Sequence, residues 1–200
     1  MLPRPIQKFI EMFSSLPSIG PRQAHRLAFH IHALGDKKIK AIAAAVSGLS
    51  DIQTCEECYF TYEETGRDQP GHCFICANRD RDRTLIAIVE KETDLMSVEK
   101  TKKFNGRYLI IGDLKKDGFL TDQQKKRLNT LRGGKNKKPA KEIIVALNPT
   151  TYGDLNAEAV IREIGDFADK ITRLGRGIPT GGEIEFADEA TLGSALDHRG

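Results

Sequence analysis

Four cysteines fall in two matched pairs, Cys55-x2-Cys58 and Cys73-x2-Cys76, with fourteen residues between the pairs and no other cysteine in the 200-residue chain. A C-x2-C turn can aim two thiolates at one ion, and a link of this length lets two such turns close a tetrahedral shell. The chemistry that fits is one structural Zn²⁺ per chain. Two disulfides or four buried thiols are the other arrangements open to these residues, but disulfides belong mainly to oxidising compartments and to small stapled secreted domains, which this chain does not resemble. His72, beside Cys73, could replace a sulfur in the shell and reads instead as a solvent-facing neighbour. A cysteine-bounded loop of this size has too little apolar material to fold alone, so a bound ion would supply its folding energy.

A second set of residues suits phosphate. Leu16-Pro17-Ser18-Ile19-Gly20-Pro21 is too rich in Pro and Gly to continue a helix and reads as a tight hairpin, with Gly20 allowing close backbone approach and Pro21 opening the next helix. Backbone N–H groups at such a helix start can hold a phosphate oxygen, and Arg22 and Arg26 fall four apart beside them. Contacts of this kind hold the polynucleotide backbone without reading bases. The alternative is a plain helical hairpin with solvated arginines. His25, His30 and His32 on the same helix join no cysteine or carboxylate pattern and read as packing or surface residues.

The third set is acidic. Metal-assisted phosphoryl chemistry needs carboxylates converging on Mg²⁺, commonly a Glu with a D-x-D pair. Glu90 could serve, with Asp154 and Asp113 as further ligands, but the stretch 142–147 leads into Asn148-Pro149-Thr150 where the paired carboxylates would be needed. Glu90, Asp113 and Asp154 are therefore expected to form at most a weak Mg²⁺ site or a partner contact, and the chain is expected not to be an enzyme. Its glycine pairs, Gly133-Gly134 and Gly181-Gly182, lack the Gly-Lys-Ser/Thr of a nucleotide-binding P-loop.

The elements that must position these groups change character along the chain. Ile6, Phe9, Ile10 and Phe13 follow helical spacing, as do Ala24, Leu27, Ala28 and Ile31, and then Ile39, Ile42, Ala43 and Val46, with Asp36 placed to cap the last helix. Beyond the cysteines, apolar runs at 85–89, 108–111, 142–147 and 171–174 have strand character and alternate with helical stretches at 93–102, 121–131 and 154–168. That alternation predicts a parallel sheet with helices on both faces, and ligands then sit beyond the carboxyl ends of its strands, where Glu90, Gly112-Asp113 and Asn148-Pro149-Thr150 fall. The fold class is α+β and multidomain. The expected parts are a helical arm (1–53), a four-cysteine zinc module (54–80), an α/β body (84–179) and a C-terminal strand-helix assembly segment (180–200).

Net charge is only +3, but it is unevenly spread. Residues 1–50 carry seven Lys/Arg against two Asp/Glu, and residues 100–141 carry fourteen against three; residues 51–99 and 142–200 are acidic. Basic blocks of this kind attract a phosphate backbone or simply form a solvated surface. The N-terminus has no leader pattern, and no apolar run approaches the ~18 residues of a membrane span, so a soluble cytoplasmic protein with no membrane partner is expected.

Specific motifs now carry a resemblance. The segment from Leu16 to Leu27 resembles the helix-hairpin-helix DNA-binding element, and a Glu ending the first strand of the α/β body resembles the Toprim domain of topoisomerases and primases. The order of helix-hairpin-helix, four-cysteine module, Toprim domain and Arg176-Gly-Ile-Pro-Thr-Gly-Gly-Glu-Ile-Glu-Phe-Ala-Asp-Glu189 is similar to the bacterial recombination mediators of the RecR family. Asn148-Pro149-Thr150 and Thr172-Arg173-Leu174-x-Arg176-Gly177 are further matches. The resemblance implies a role in recombinational DNA repair, acting with RecO and RecF to load recombinase onto single-stranded DNA. It also implies binding of single- and double-stranded DNA without sequence preference, with Arg22 and Arg26 at the family's basic contact positions. A nucleoid-associated homodimer or homotetramer forming a ring-like clamp completes what it implies.

Two departures from the family pattern stand out. Tyr152 occupies a position where Glu is common, leaving Asp154 as the carboxylate of the stretch after Asn148-Pro149-Thr150, and the segment after Gly112 is replaced by Asp113-Leu-Lys-Lys-Asp-Gly118 and a lysine-rich helix. The second departure predicts an enlarged basic surface over 113–141. A Glu90-dependent nuclease or primase-like enzyme and a zinc-ribbon transcription factor are the competing readings; the latter needs base-reading side chains that the sequence does not display.

Overall fold

The structure, a computed structural model, describes residues 2–64, 70–132, 140–197 and 199. Gly133, Gly134, Lys135, Lys137 and Lys138 lie outside the described residues. The chain divides into two compact units, Met1–Ile52 and Gln53–Gly200.

The first unit is helical: α1 (Arg4–Phe13), α2 (Pro21–Ala33) and α3 (Asp36–Ser47), followed by one 3-10 turn (Gly48–Asp51). Pro5 in the first turn of α1 and Pro21 at the start of α2 occupy positions where the missing N–H costs nothing. The α1 stripe of Ile6, Phe9, Ile10 and Phe13 is half-buried, with the Phe9 and Phe13 rings stacked at 3.9 Å. On α2 the buried positions are Ala24 and Ala28, small enough for a neighbouring helix to approach closely. Asp36 does not cap α3 as expected. Gly35, at φ +81°, takes the N-cap position that closes the turn, and Asp36 becomes the first helical residue, paired at 2.7 Å with Lys40 one turn on.

A small ribbon of β1 (Ile52–Thr54), which begins at the last residue of the first unit, and β2 (Thr61–Glu63) opens the second unit, followed by the single-turn helix α4 (Phe74–Ala77). Its body is a four-stranded, wholly parallel sheet of β3 (Leu85–Val89), β4 (Arg107–Ile110), β5 (Ala140–Ala146) and β6 (Ala168–Arg173), in the order β4-β3-β5-β6. Between the strands run α5 (Glu92–Lys100), α6 (Asp122–Asn129) with a 3-10 turn (Thr130–Arg132), and α7 (Thr151–Ile164). The order means that β4 lies on one side of β3 and β5 on the other, so the chain reverses its direction of winding between the ends of β3 and β5.

Period-2 alternation divides the strand residues between two cores. Ile88, Leu109, Ile143 and Val145 face α6 and α7, packing with Leu128, Ala157, Val160 and Ile164. Ala87, Val89, Tyr108, Ile110 and Ala146 face the other way, against Leu95 of α5 and all four cysteines. The second face is therefore covered partly by the cysteine module where helices alone were expected. Gly106 permits β4 to approach β3 at its amino end, where an added Cβ would lie 2.4 Å from the Leu85 carbonyl oxygen.

Helix α7 begins earlier than the periodicity alone predicts, because the Thr150 hydroxyl accepts the Gly153 N–H at 3.1 Å and caps it. It ends at Gly165, and the following strand starts at Ala168, several residues before the apolar run 171–174. At the C-terminus, the stretch expected as a strand is a 3-10 turn (Ile184–Phe186) before α8 (Glu189–Asp197), since among the described residues it has no strand to pair with. No helix among the described residues is long and apolar enough to cross a membrane.

Candidate functional site

The two cysteine pairs arrive at one point from two different turns. In the first, the Tyr59 N–H bonds the Cys55 carbonyl at 3.0 Å, and Tyr59 itself takes a positive φ of 63° to close the knuckle. In the second, Cys73 precedes α4 and its carbonyl accepts the Ala77 N–H at 2.9 Å. A bond from Glu56 N–H to the Gly71 carbonyl, 3.0 Å, ties the turns together. The result is four buried, unbridged thiols whose sulfurs all lie within 4.8 Å of one another, the Cys58 and Cys73 sulfurs 3.5 Å apart. Four sulfurs about 2.3 Å from a central ion in tetrahedral array would be about 3.8 Å from each other, so the spacing suits one ion.

Electrostatics point the same way. Contact with Cys58 first, then Cys73 and Cys76, pulls the Cys55 thiol far below its ordinary value, while contact with Cys55 first pushes Cys58 and Cys76 far above theirs. Cys73, raised by Cys55 and lowered by Cys58 and Cys76, stands at about 7. A set so crowded cannot carry four negative charges by itself; a divalent cation makes all four thiolates compatible. His72 is outside the shell, its Nδ1 3.2 Å from the Pro70 carbonyl and its Nε2 3.9 Å from Glu57.

Sequence reasoning missed the residue that locks this module to the sheet. Arg107, on β4, is buried, pairs with Glu57 inside the first knuckle and donates to the Cys76 carbonyl at 3.2 Å. Burial lowers its pKa and the negative Cys55 opposes that. The Ile110 N–H also reaches the Cys58 carbonyl at 2.9 Å. Nearby, Arg81 holds Glu99 at 2.6 Å and Glu99 accepts the Tyr108 hydroxyl at 2.7 Å, closing a second polar lock between α5 and the strands. Nothing in the spacing of these residues announces either lock, because the partners are far apart in the chain.

Arg22 and Arg26 lie on the first two turns of α2, directly after Gly20 and Pro21. Both are exposed, and neither has a hydrogen bond or ion pair among the described residues. Space is open where a Gly20 side chain would project. His25 bonds the Pro21 carbonyl at 2.8 Å through Nδ1, a local contact within the helix.

The carboxylates do not converge. Glu90, at the end of β3, receives the Leu114 N–H at 3.2 Å on one oxygen and the Asn148 amide at 3.3 Å on the other. Asp154, in the first turn of α7, is paired with both Arg176 and Arg173, which hold its carboxyl below the usual range. Asp113 is exposed. Among the described residues, the four cysteines are the sole group of three or more metal-ligating side chains. Between Glu90 and the start of α7 lies a cleft of about 320 Å³, lined also by Lys115, Lys116, Tyr152 and Asn156. Lys115, Lys116, Lys125 and Lys126 are exposed, but Arg127 turns inward to the Ile110 carbonyl at 3.0 Å and over the Tyr59 ring.

Comparison with known proteins places these features in one family. Residues 6–48 match the RecR helix-hairpin-helix model, residues 84–175 a Toprim domain and residues 177–199 the RecR C-terminal model. The chain is 34% identical to the recombination protein RecR of Roseiflexus castenholzii over 207 residues, covering 100% of this chain and 95% of that one. It is 37% identical to the recombination protein RecR of Nocardia farcinica over 202 residues, covering 98% and 96%. With a buried four-cysteine centre, a parallel sheet and the three domain matches in this order, the chain belongs to the RecR family of recombination proteins.

Proposed function

We propose that this protein is a non-catalytic DNA-binding mediator of recombinational repair, acting in the cytoplasm at the nucleoid with RecO and RecF to load recombinase onto single-stranded DNA. Its parts are a DNA-holding arm (1–53), a zinc module (54–80), an α/β body (84–179) and an assembly segment (180–200) in a homodimer or homotetramer that closes as a ring-like clamp. The observation that carries the DNA reading is the pair Arg22 and Arg26, exposed and unpaired at the start of a helix that opens on Gly20-Pro21. Guanidinium groups so placed meet phosphates on either single or double strands and ignore base sequence.

Zn²⁺ is the ion we assign to Cys55, Cys58, Cys73 and Cys76: four buried thiolates with every position filled by protein describe a structural site and leave none for substrate. The charge of Arg107 beside that shell offsets the excess negative charge of four thiolates around a divalent ion. The body is read as catalytically silent because Glu90 has both oxygens engaged by protein donors and Asp154 is held by two guanidiniums. Any role of Glu90, Asp113 and Asp154 is confined to weak Mg²⁺ binding or partner contact.

The decisive assay is recombinase filament formation on single-stranded DNA covered with single-strand-binding protein, with RecO and RecF from the same source. Loading should rise on adding the protein and fall with Arg22→Ala/Arg26→Ala. If instead pure protein cuts or primes DNA with Mg²⁺ and Glu90→Gln abolishes the turnover, the mediator reading is wrong and the enzyme reading right.

A further inference from the structure

One side chain outside the cysteine shell touches both of its halves. Arg107, at the amino end of β4, is 9% exposed. Its Nη1 pairs with Glu57, which stands between Cys55 and Cys58 in the first turn. Its Nη2 donates to the Cys76 carbonyl, in the second turn, at 3.2 Å. A guanidinium carries its donors in a rigid planar fork, so these two bonds fix how far apart the turns can stand. The backbone bond from the Glu56 N–H to the Gly71 carbonyl, 3.0 Å, is the companion tie across the shell. The sheet grips the first turn at a separate point, where the Ile110 N–H meets the Cys58 carbonyl at 2.9 Å. For the site to open, one cysteine turn must part from the other, and that movement breaks the bonds of Arg107.

A second observation concerns charge. The Arg107 Nε is buried and has no hydrogen-bond partner among the described residues. Taking a cation out of water is costly, and a donor left unmade adds to that cost, so the half-exposed carboxylate of Glu57 is thin compensation by itself. Four thiolates around a divalent ion leave an excess of negative charge, and the charge at Cys55 favours the ionised guanidinium. A filled shell therefore accounts for a buried arginine that the sheet alone would not. Arg81, on the same face, makes the contrast: it spends its donors on Glu99 at 2.6 Å and on the Gly106 carbonyl at 3.0 Å, and bonds neither cysteine turn.

We propose that Arg107 is a metal-retention residue, which clasps the two cysteine turns across the shell and balances the thiolate charge there, so that zinc exchanges slowly. The inference rests on the assignment of zinc to Cys55, Cys58, Cys73 and Cys76, and adds to it a positioning residue that sets how long the ion stays. Glu57 orients the guanidinium from within the first turn. Outer partners of this kind typically change metal affinity about 10–100-fold.

The test mixes the full-length, zinc-loaded protein with excess 4-(2-pyridylazo)resorcinol in the absence of denaturant, following zinc transfer by absorbance and folding by circular dichroism. Arg107→Ala should release zinc about 30-fold faster than the native chain, ahead of any loss of helical signal. Arg107→Gln keeps an amide donor for the Cys76 carbonyl without the charge; it carries the test if the alanine variant does not fold, and should release zinc about tenfold faster. Arg107→Lys keeps the charge without the fork and should recover part of the difference. Arg81→Ala breaks a buried pair on the same face and should leave the release rate within about twofold of native. A native release rate in a folded alanine or glutamine variant overturns the proposal. So does a lysine variant as fast as the alanine one, equal acceleration by Arg81→Ala, or zinc loss that only accompanies unfolding. Metal content measured before mixing separates this failure from that of the zinc assignment: native protein without stoichiometric zinc overturns both, whereas fully loaded protein with unchanged rates overturns the role of Arg107 alone.

Discussion

Replacing Arg22 and Arg26 together by alanine isolates the electrostatic part of DNA binding. Both side chains are exposed and make no hydrogen bond or ion pair among the described residues, so folding stability should change by no more than about 0.5 kcal/mol. Each phosphate neutralised by a cation contributes about 0.9 to the slope of log K against log salt on duplex DNA and about 0.7 on single strands. Losing both contacts should therefore make the slope shallower by about 1.8 and about 1.4 respectively. Across a fourfold rise in salt, native binding should lose about 12-fold more affinity than the variant on duplex, and about 7-fold more on single strands. Titrating labelled random-sequence DNA at several salt concentrations measures the slopes directly. Arg22→Lys/Arg26→Lys should restore most of the slope, because a point charge releases counterions as well as a guanidinium does. Slopes unchanged within error in the alanine variant would refute the phosphate role, even if affinity fell.

Chelating the metal, or replacing Cys58 by Ser, should abolish the native thermal transition of the second unit. Metal release forfeits ~10–16 kcal/mol of apparent binding energy, against a typical net stability of ~5–15 kcal/mol; a metal-free sample with an unaltered transition by circular dichroism would argue against a structural ion. Gly106→Ala drives a Cβ to 2.4 Å from the Leu85 carbonyl and should cost about 3 kcal/mol in urea unfolding; near-neutral behaviour would mean that β4 can shift away from β3. Hydrogen bonding from Arg81, above all, lowers the pKa of Glu99 from its ordinary 4.5, so the stabilisation is complete above that value and is lost as pH falls through the lowered native one. Arg81→Ala should cost about 2 kcal/mol at neutral pH and flatten the acid limb of the stability profile below pH ~4.5; an acid limb identical to that of the native chain would show that this pair is not its source.

Local signals carried what depends on neighbours in the chain. The C-x2-C pairs placed all four cysteines, because two turns of fixed geometry leave few ways to point four sulfurs. The short apolar run at 85–89 revealed a strand that falls at β3, because a parallel strand covered on both faces is apolar along its whole length. What stayed hidden depends on partners distant in sequence. Arg107 and Glu57 are fifty residues apart, and no periodicity ties a strand arginine to a knuckle glutamate. The capture of Asp154 by Arg173 and Arg176 was equally invisible, although the two arginines stood within a recognised motif. Asn156 did leave a trace, as a polar residue four before Val160 on the buried face of α7. The start of α7 was placed too late because Thr150 acts as a cap through its hydroxyl, a signal stronger than the apolar periodicity that begins further on.

The sheet joins two problems that are solved on its opposite faces. A parallel sheet needs both faces covered, and helices α6 and α7 do this for Ile88, Leu109, Ile143 and Val145. On the other face, α5 contributes Leu95 while the cysteine module supplies the rest, seating four sulfurs on Tyr108 and Ile110. Sulfur is polarisable and packs as a hydrophobe, so an ion held by four cysteines presents the sheet with an apolar surface while its charge is balanced within the shell and by Arg107. A metal in this position does more than close a loop: it completes the core that holds the ends of β3 and β5 in register. Those ends carry Glu90 and Asn148, the walls of the cleft beneath α7. Loss of the ion should therefore reach the ends of β3 and β5, so that backbone amide exchange at Glu90 and Asn148 quickens when the cysteines are stripped, although neither residue belongs to the metal shell.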